Sequence, residues 1–204
     1  MNSMSSSVIL CSGGFDSVVL AHHVRKMLGE EEDIHILFFD YGQKSVEQER
    51  SCSKKVSAEI KAYWKEIKLP KMTWSKGMFY SKKYHGEDMH YLEWRNLIFL
   101  AYAFSYAQSI QAIEIYTAFF RFLNPADYFV DSCPQFVGTM NLLDPDIKVE
   151  APFMGMTKDC LVPLAKYYNI GREDFFSCDY PKEDGSPCGE CADCKAVNEL
   201  FAEI

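Results

Sequence analysis

Short apolar runs alternate with segments of helical periodicity along most of this chain. The apolar runs are 7–11, 34–39, 63–69, 113–117 and 147–151. The segments 17–28, 45–60, 95–109 and 157–168 carry apolar residues spaced as on one face of a helix. Such alternation predicts an α/β fold, a doubly wound parallel sheet with helices on both faces. In this class of fold, ligands bind at the carboxyl ends of the strands.

The chain has 204 residues, the length of one α/β domain with a small C-terminal addition. We predict an α/β domain over residues 1–170 and a cysteine-rich segment over residues 171–204 that packs on the same unit. The segment 70–91 mixes lysines and histidines with aromatic residues and does not fit the alternation. We interpret it either as a solvated insertion or as a lid over the active site.

The charge balance limits the classes of partner. There are 21 lysines and arginines against 29 aspartates and glutamates, a net charge of −8. General binding to nucleic acid phosphates requires a basic surface, so we expect no direct nucleic-acid binding. No apolar run reaches the length of a transmembrane helix, and the first residues do not resemble a secretory signal. We therefore expect a cytoplasmic protein without a membrane partner.

The first predicted strand leads directly into a glycine-rich turn, Ser12-Gly13-Gly14-Phe15-Asp16-Ser17. Glycines let backbone N–H groups turn toward an anion, and the helix that follows adds its positive dipole end. Asp16 has two explanations here, because it can cap the helix or hold a Mg²⁺ bound to phosphates. The turn is neither a Walker loop nor a dinucleotide fingerprint. An ordinary strand–helix turn is the alternative, but the acidic residue inside the loop favours nucleotide binding.

Four of the eight cysteines are concentrated near the C-terminus, namely Cys178, Cys188, Cys191 and Cys194. Four thiolates complete a closed tetrahedral site for Zn²⁺, which leaves no open position for a substrate. We therefore predict a structural zinc site that fixes this segment to the rest of the fold. An iron–sulfur cluster is the alternative, since it also takes four cysteines.

The glycine-rich turn resembles the PP-loop of the ATP pyrophosphatase superfamily. Together with the cysteines it belongs to an ordered set of motifs, and the whole chain resembles the 7-cyano-7-deazaguanine synthase (QueC) family. The other motifs are Phe39-Asp40-Tyr41-Gly42-Gln43-Lys44, Arg95-Asn96-Leu97-Ile98-Phe99-Leu100, Thr157-Lys158, Ser177-Cys178 and Cys188-Gly189-Glu190-Cys191-Ala192-Asp193-Cys194. They span nearly the whole chain in the order of the family.

The resemblance implies an adenine-nucleotide alpha-hydrolase-like fold and an ATP-dependent C–N ligase that uses Mg²⁺ and forms a homodimer. Members of the family adenylate 7-carboxy-7-deazaguanine and react it with ammonia to give the amide. A second ATP-driven step dehydrates the amide to the nitrile of the queuosine pathway. The sequence contains no glutaminase domain, so we expect ammonia or another amine to be supplied from solution.

The resemblance also implies roles for individual residues. The phosphates of ATP would be bound by Ser12, Gly13, Gly14, Phe15, Asp16 and Ser17. Asp16, Arg95 and Lys158 would be catalytic, with the two cations facing the transferred or departing phosphate. The adenine and ribose would lie beside Asp40, Tyr41, Gln43 and Lys44.

One motif departs from the family pattern. The family usually reads Asp-Cys-Arg-Pro-Glu-Phe where this chain reads Asp131-Ser132-Cys133-Pro134-Gln135-Phe136. We expect a base pocket that includes Asp131, Cys133 and Gln135, with Arg121 compensating for the lost cation.

Two alternatives remain open, and the altered motif motivates the first of them. One is a QueC-like enzyme that transfers the adenylated deazaguanine carboxylate to an amine on a protein or other macromolecule, for example in a defence system. The other is a non-catalytic zinc module that binds nucleotide or nucleic acid. The acidic charge and the intact PP-loop count against the module.

Overall fold

The computed structural model describes residues 6–70, 94–120 and 132–201. These residues contain one five-stranded sheet, entirely parallel, in the order β3-β2-β1-β4-β5. The strands are β1 (Ser6–Leu10), β2 (Asp33–Asp40), β3 (Tyr63–Lys68), β4 (Ala112–Tyr116) and β5 (Lys148–Glu150). The chain builds outward from β1 in one direction and then from β1 in the other, so the predicted doubly wound sheet is confirmed. The switch point, where such folds bind ligands, lies at the carboxyl end of β1.

Six α-helices lie within the described ranges. They are α1 (Phe15–Leu28), α2 (Val46–Glu59), α3 (Arg95–Ser109), α4 (Pro134–Leu143), α5 (Leu161–Tyr167) and α6 (Ala192–Phe201). The predicted helices 17–28, 45–60 and 95–109 correspond to α1, α2 and α3. The predicted helix 157–168 is divided into a 3₁₀ turn, Lys158–Cys160, and α5. A second 3₁₀ turn, Arg172–Asp174, follows, and α4 and α6 were not predicted.

Each face of the sheet is covered by a hydrophobic layer. Residues of α1, α2, α5 and α6 pack on one face, and residues of α3 and α4 pack on the other. On β1, Ile9 belongs to the first layer and Val8 to the second, and both are 0% exposed. This double burial explains why the strand is a continuous apolar run rather than an alternating one. No helix of the described residues is both long enough and apolar enough to cross a membrane.

The segment after residue 170 packs directly on the α/β unit. The ring of Phe175 lies 5.0 Å from that of Phe15, centroid to centroid, and the N–H of Phe176 donates to the carbonyl of Gly13 at 2.9 Å. These contacts place the cysteine-rich segment beside the turn that follows β1. The boundary at residue 170 stays a prediction.

Candidate active site

The turn after β1 is pressed against the backbone of α2. Gly13 has φ +82°, and a Cβ there would lie 2.2 Å from the carbonyl oxygen of Glu49 and 2.9 Å from the backbone nitrogen of Ser53. Gly14 is the N-cap of α1, and its N–H donates to Ser12 Oγ at 3.2 Å. Gly13 is therefore needed to bring the loop close to α2, because any side chain there would collide with the backbone of that helix.

Hydroxyl groups surround the N-terminus of α1. Ser12 Oγ and Ser17 Oγ lie 3.2 Å apart, and Ser17 Oγ donates to the carbonyl of Gly14 at 2.9 Å. The N–H groups of the first turn have no intrahelical acceptors, and together with the helix dipole they favour an anion. Phe15 contributes only its backbone, because its ring is buried against Phe175. The loop thus has the donors that a phosphate group requires.

Asp16 and Lys158 meet at the edge of this loop. Lys158 Nζ lies 2.9 Å from Asp16 Oδ2. Burial lowers the pKa of Lys158, but the charge and hydrogen bond of Asp16, with the charge of Asp193, outweigh it and raise the pKa above its ordinary value. Lys158 is therefore a cation at neutral pH. Asp16 lies in the first turn and makes no cap, which removes the capping explanation of this residue.

The second oxygen of Asp16 fits a magnesium ion. Asp16 Oδ1 is buried and has no hydrogen-bond partner among the described residues. A carboxylate oxygen without a donor, beside a helix N-terminus suited to phosphates, is the ligand type that Mg²⁺ takes when it bridges a protein and a nucleotide.

The turn after β2 is shaped by the side chain of Gln43. This buried amide accepts from the N–H of Tyr41 at 3.0 Å and donates to the carbonyl of Phe39 at 3.0 Å and to Glu49 Oε2 at 2.9 Å. Ser45 Oγ donates to the other oxygen of Glu49 at 2.7 Å. Gln43 therefore holds the loop, and its predicted contact with the nucleotide stays a prediction.

Asp40 and Lys44, also predicted beside adenine and ribose, both contact protein groups. Asp40 accepts from the N–H of Gly42 at 3.1 Å, and its other oxygen pairs with Arg50 at 3.1 Å. Lys44 Nζ lies 4.8 Å from the centre of the Tyr180 ring. The two residues stand at the carboxyl end of β2 as expected, and their nucleotide contacts remain untested.

Arg95 is the first residue of α3 and reaches Tyr41. Its Nη1 donates to Tyr41 Oη at 3.2 Å, and its guanidinium carbon lies 5.9 Å from the centre of the ring. Trp94, the N-cap, has φ +59°, an uncommon conformation for a bulky residue that stores strain beside Arg95. Burial raises the pKa of Tyr41, so the phenol is neutral and able to hydrogen-bond. Arg95 thus lies at the carboxyl end of β2.

Two acidic residues to which the sequence assigned no role, Asp179 and Asp193, interact with Arg95 and with Lys158. Asp179 and Asp193 share a hydrogen bond, and burial, followed by the charge of Asp193, raises the pKa of Asp179 to about 7. Arg95 acts electrostatically on Asp179, and Asp193 acts on Lys158. Burial also raises the pKa of Glu49, which interacts with Arg95. The two predicted cations therefore belong to one polar region beside the loop.

The four predicted metal ligands come together. One ligand atom from each of Cys178, Cys188, Cys191 and Cys194 lies within 4.8 Å of every other. Backbone N–H groups of Cys188, Cys191 and Cys194 donate to sulfurs of the cluster at 3.3 to 3.4 Å. The N–H groups of Glu190 and Cys191 lower the pKa of Cys188, whereas burial raises the pKa of Cys178 and of Cys194. The four cysteines are close enough together to bind one metal ion. Zn²⁺ as its occupant stays a prediction.

The predicted base pocket is only partly within the described residues. Arg121 and Asp131 lie outside them, as does the segment 70–91 apart from Pro70. Cys133 is buried and caps α4, where its Sγ accepts from the N–H of Phe136 at 3.4 Å. Gln135 is exposed in the first turn of α4. The roles of these residues toward a base stay predictions.

The family model described as "Queuosine biosynthesis protein QueC" matches residues 6–204. A 7-cyano-7-deazaguanine synthase of Methanoculleus marisnigri is 30% identical over 221 residues, which cover 98% of this chain and 96% of that protein. One of Oceanobacillus iheyensis is 30% identical over 217 residues, which cover 97% of this chain and 93% of that protein.

Among solved structures, the U34-tRNA thiolase NcsA from Methanococcus maripaludis with its [4Fe-4S] cluster matches with a TM-score of 0.54 and 14% identity. The match covers 98% of this chain and 65% of that chain, and at this identity it shows a shared fold alone. The fold, the loop after β1 and the four cysteines agree with the match of the family model over nearly all of the sequence. The chain belongs to the QueC family.

Proposed function

We propose that this protein is an ATP-dependent synthase that converts 7-carboxy-7-deazaguanine to 7-cyano-7-deazaguanine. The observation that carries the proposal is the pairing of Lys158 with Asp16 at the N-terminus of α1, in a chain whose relatives are named for that product. The cation, the carboxylate and the backbone donors supply the groups that adenylation by ATP needs.

In the first step, a carboxylate oxygen of the substrate attacks the α-phosphorus of ATP, and the bond to the pyrophosphate leaving group breaks. The N–H groups of the first turn of α1 and the hydroxyls of Ser12 and Ser17 bind the departing phosphates. Lys158 and Arg95 face the negative charge that develops on them. Mg²⁺ would be held by Asp16 and would neutralise phosphate charge.

In the second step, ammonia attacks the activated carbonyl carbon, AMP leaves, and the nitrogen releases a proton to give the amide. The amide oxygen then attacks the α-phosphorus of a second ATP, and pyrophosphate leaves. Loss of that oxygen with its phosphate, and of the two amide protons, forms the nitrile. Ammonia as donor and a homodimer as the working assembly are part of the proposal.

Recognition of the base is proposed for the region of Arg121, Asp131, Cys133 and Gln135. A substrate carboxylate in a partly dry pocket needs a cation, and Arg121 is the proposed one. The thiol of Cys133 stands where the family has an arginine and is used to cap α4.

The same departure favours one second candidate, in which the activated carboxylate is transferred to an amine on a protein. Both candidates share the first step, and exchange of labelled pyrophosphate into ATP tests it. We expect exchange that depends on 7-carboxy-7-deazaguanine and on Mg²⁺. Exchange that is absent, or that occurs equally without the deazaguanine, would contradict the proposal.

A further inference from the structure

The N-terminus of α1 is capped by a residue from the far end of the chain. Gly14, the N-cap, has no side chain of its own, and the N–H of Phe15 donates to Ser177 Oγ at 3.2 Å across 162 residues of sequence. The neighbouring N–H, that of Gly14, donates to Ser12 Oγ at the same distance of 3.2 Å. Ser12 and Ser177 therefore make matching contacts with successive N–H groups of the loop.

The two hydroxyls lie on the same side of Gly14. From the position that a Cβ would take at Gly14, Ser12 Oγ is 3.3 Å away and Ser177 Oγ is 3.8 Å away. When a serine oxygen accepts from a backbone N–H, its own proton stays available for donation. An anion at this helix N-terminus would thus meet the Ser177 hydroxyl as an additional donor.

The four-cysteine cluster fixes Ser177 in this position. Ser177 directly precedes the predicted ligand Cys178, and its carbonyl oxygen lies 3.9 Å from the sulfur of the predicted ligand Cys194. The residue before it, Phe176, is bonded through its N–H to the carbonyl of Gly13. Ser177 is therefore held from one side by the metal-binding group and from the other by the loop.

We propose that Ser177 is a further phosphate-binding residue of the ATP site, placed there by the four-cysteine segment. The inference rests on the proposed function, because it takes the anion to be the phosphates of ATP. It extends that function by making the C-terminal segment part of the nucleotide site. When ATP is bound, the Ser177 hydroxyl donates to a phosphate oxygen.

The test compares Ser177→Thr with Ser177→Val, which have the same shape and differ in the hydroxyl. Calorimetry of the full chain with Mg·ATP, pyrophosphate and adenosine gives the affinities. If Ser177 donates a hydrogen bond to a charged phosphate, Ser177→Val should bind Mg·ATP and pyrophosphate with an affinity about tenfold or more below that of Ser177→Thr. The affinity for adenosine should be the same in both variants. Ser105→Ala, an exposed serine on α3, serves as the matched surface control.

A purely structural cap gives a different result. In that case Ser177→Val lowers the melting temperature, but the two variants bind ATP and pyrophosphate with equal affinity. Equal affinities would overturn the role of Ser177 and leave the proposed function standing. Wild-type protein that does not bind ATP at all would overturn the proposed function together with it. Metal content is measured in each variant. Unchanged metal content shows that a loss of affinity does not come from loss of the cysteine site.

Discussion

Gly13 shows how one residue decides the geometry of the phosphate loop. Its positive φ could be met by other residues at some cost, but the backbone of α2 leaves no space for a Cβ. The sequence motif indicates a glycine for access to an anion, whereas the structure adds that this glycine also sets the distance between the loop and α2.

We predict that Gly13→Ala destabilises the protein by at least about 2 kcal/mol more than Gly29→Ala. Gly29 has a similar φ of +86°, but a Cβ there would meet nothing within 4 Å, so this variant measures backbone strain alone. Chemical denaturation of both variants measures the difference. Equal destabilisation would show that the contact with α2 is not a constraint.

Asp16 is a residue whose charge is used for chemistry more than for folding. We expect Asp16→Asn to lower AMP formation by about a hundredfold, because the site loses a Mg²⁺ ligand and the partner of Lys158. The free energy of unfolding should change by less than about 1 kcal/mol, since Lys158 is half-exposed. Asp33→Asn, at the opposite end of β2, is the matched control. AMP formation at the wild-type rate would refute the role of Asp16.

At the scale of elements, a buried arginine fixes the ends of two helices. The guanidinium of Arg25, only 8% exposed, donates to the carbonyls of Ile60 at 2.8 Å, Gly29 at 2.7 Å, Glu32 at 2.9 Å and Lys61 at 3.5 Å. It thereby connects the C-terminal ends of α1 and α2 with the segment that leads into β2.

Arg25→Met should destabilise the protein by about 3 kcal/mol, because it leaves buried carbonyl groups without donors. Arg25→Lys should rescue little of this loss, since one ammonium cannot replace a planar fork with five donors. Thermal and urea unfolding would measure both. Lys26→Met, an exposed neighbour on the same helix, should be nearly neutral, and a similar loss there would contradict the argument.

The periodicity of apolar residues predicts the five strands and the helices α1 to α3, because each of them buries a face against the sheet. It does not predict α4, whose first turn is capped by a thiol rather than a preferred capping residue and whose middle contains Gly138. It does not predict α6 either, because that helix starts between Cys191 and Cys194, within the metal-binding motif.

At the scale of the whole molecule, the site joins residues that are distant in sequence. The motifs identify Ser12, Asp16, Arg95 and Lys158 by type and order. The pair Asp179 and Asp193 and the contact of Ser177 with α1 depend on how the C-terminal segment packs, and local spacing carries no signal for that. The cysteine cluster is recognisable from sequence because Cys188, Cys191 and Cys194 follow one another at intervals of three residues.

Cys191→Ser should lower metal content and melting temperature together, because the binding energy of a structural metal is folding energy. The affinity for ATP should fall as well, since Phe176 and Ser177 hold the loop from the cysteine segment. Cys160→Ser, an exposed cysteine outside the cluster, is the control. Full occupancy by zinc with unchanged stability in Cys191→Ser would contradict the assignment.

The proposed function is the conversion of a deazaguanine carboxylate to a nitrile at the expense of ATP. Mass spectrometry after incubation with 7-carboxy-7-deazaguanine, ATP and Mg²⁺, with and without ammonia, measures this conversion. We expect the amide and then the nitrile, only with ammonia present, and much less of both from Asp16→Asn. Unchanged carboxylate, or AMP release that ignores ammonia while mass is added to a protein amine, would contradict it.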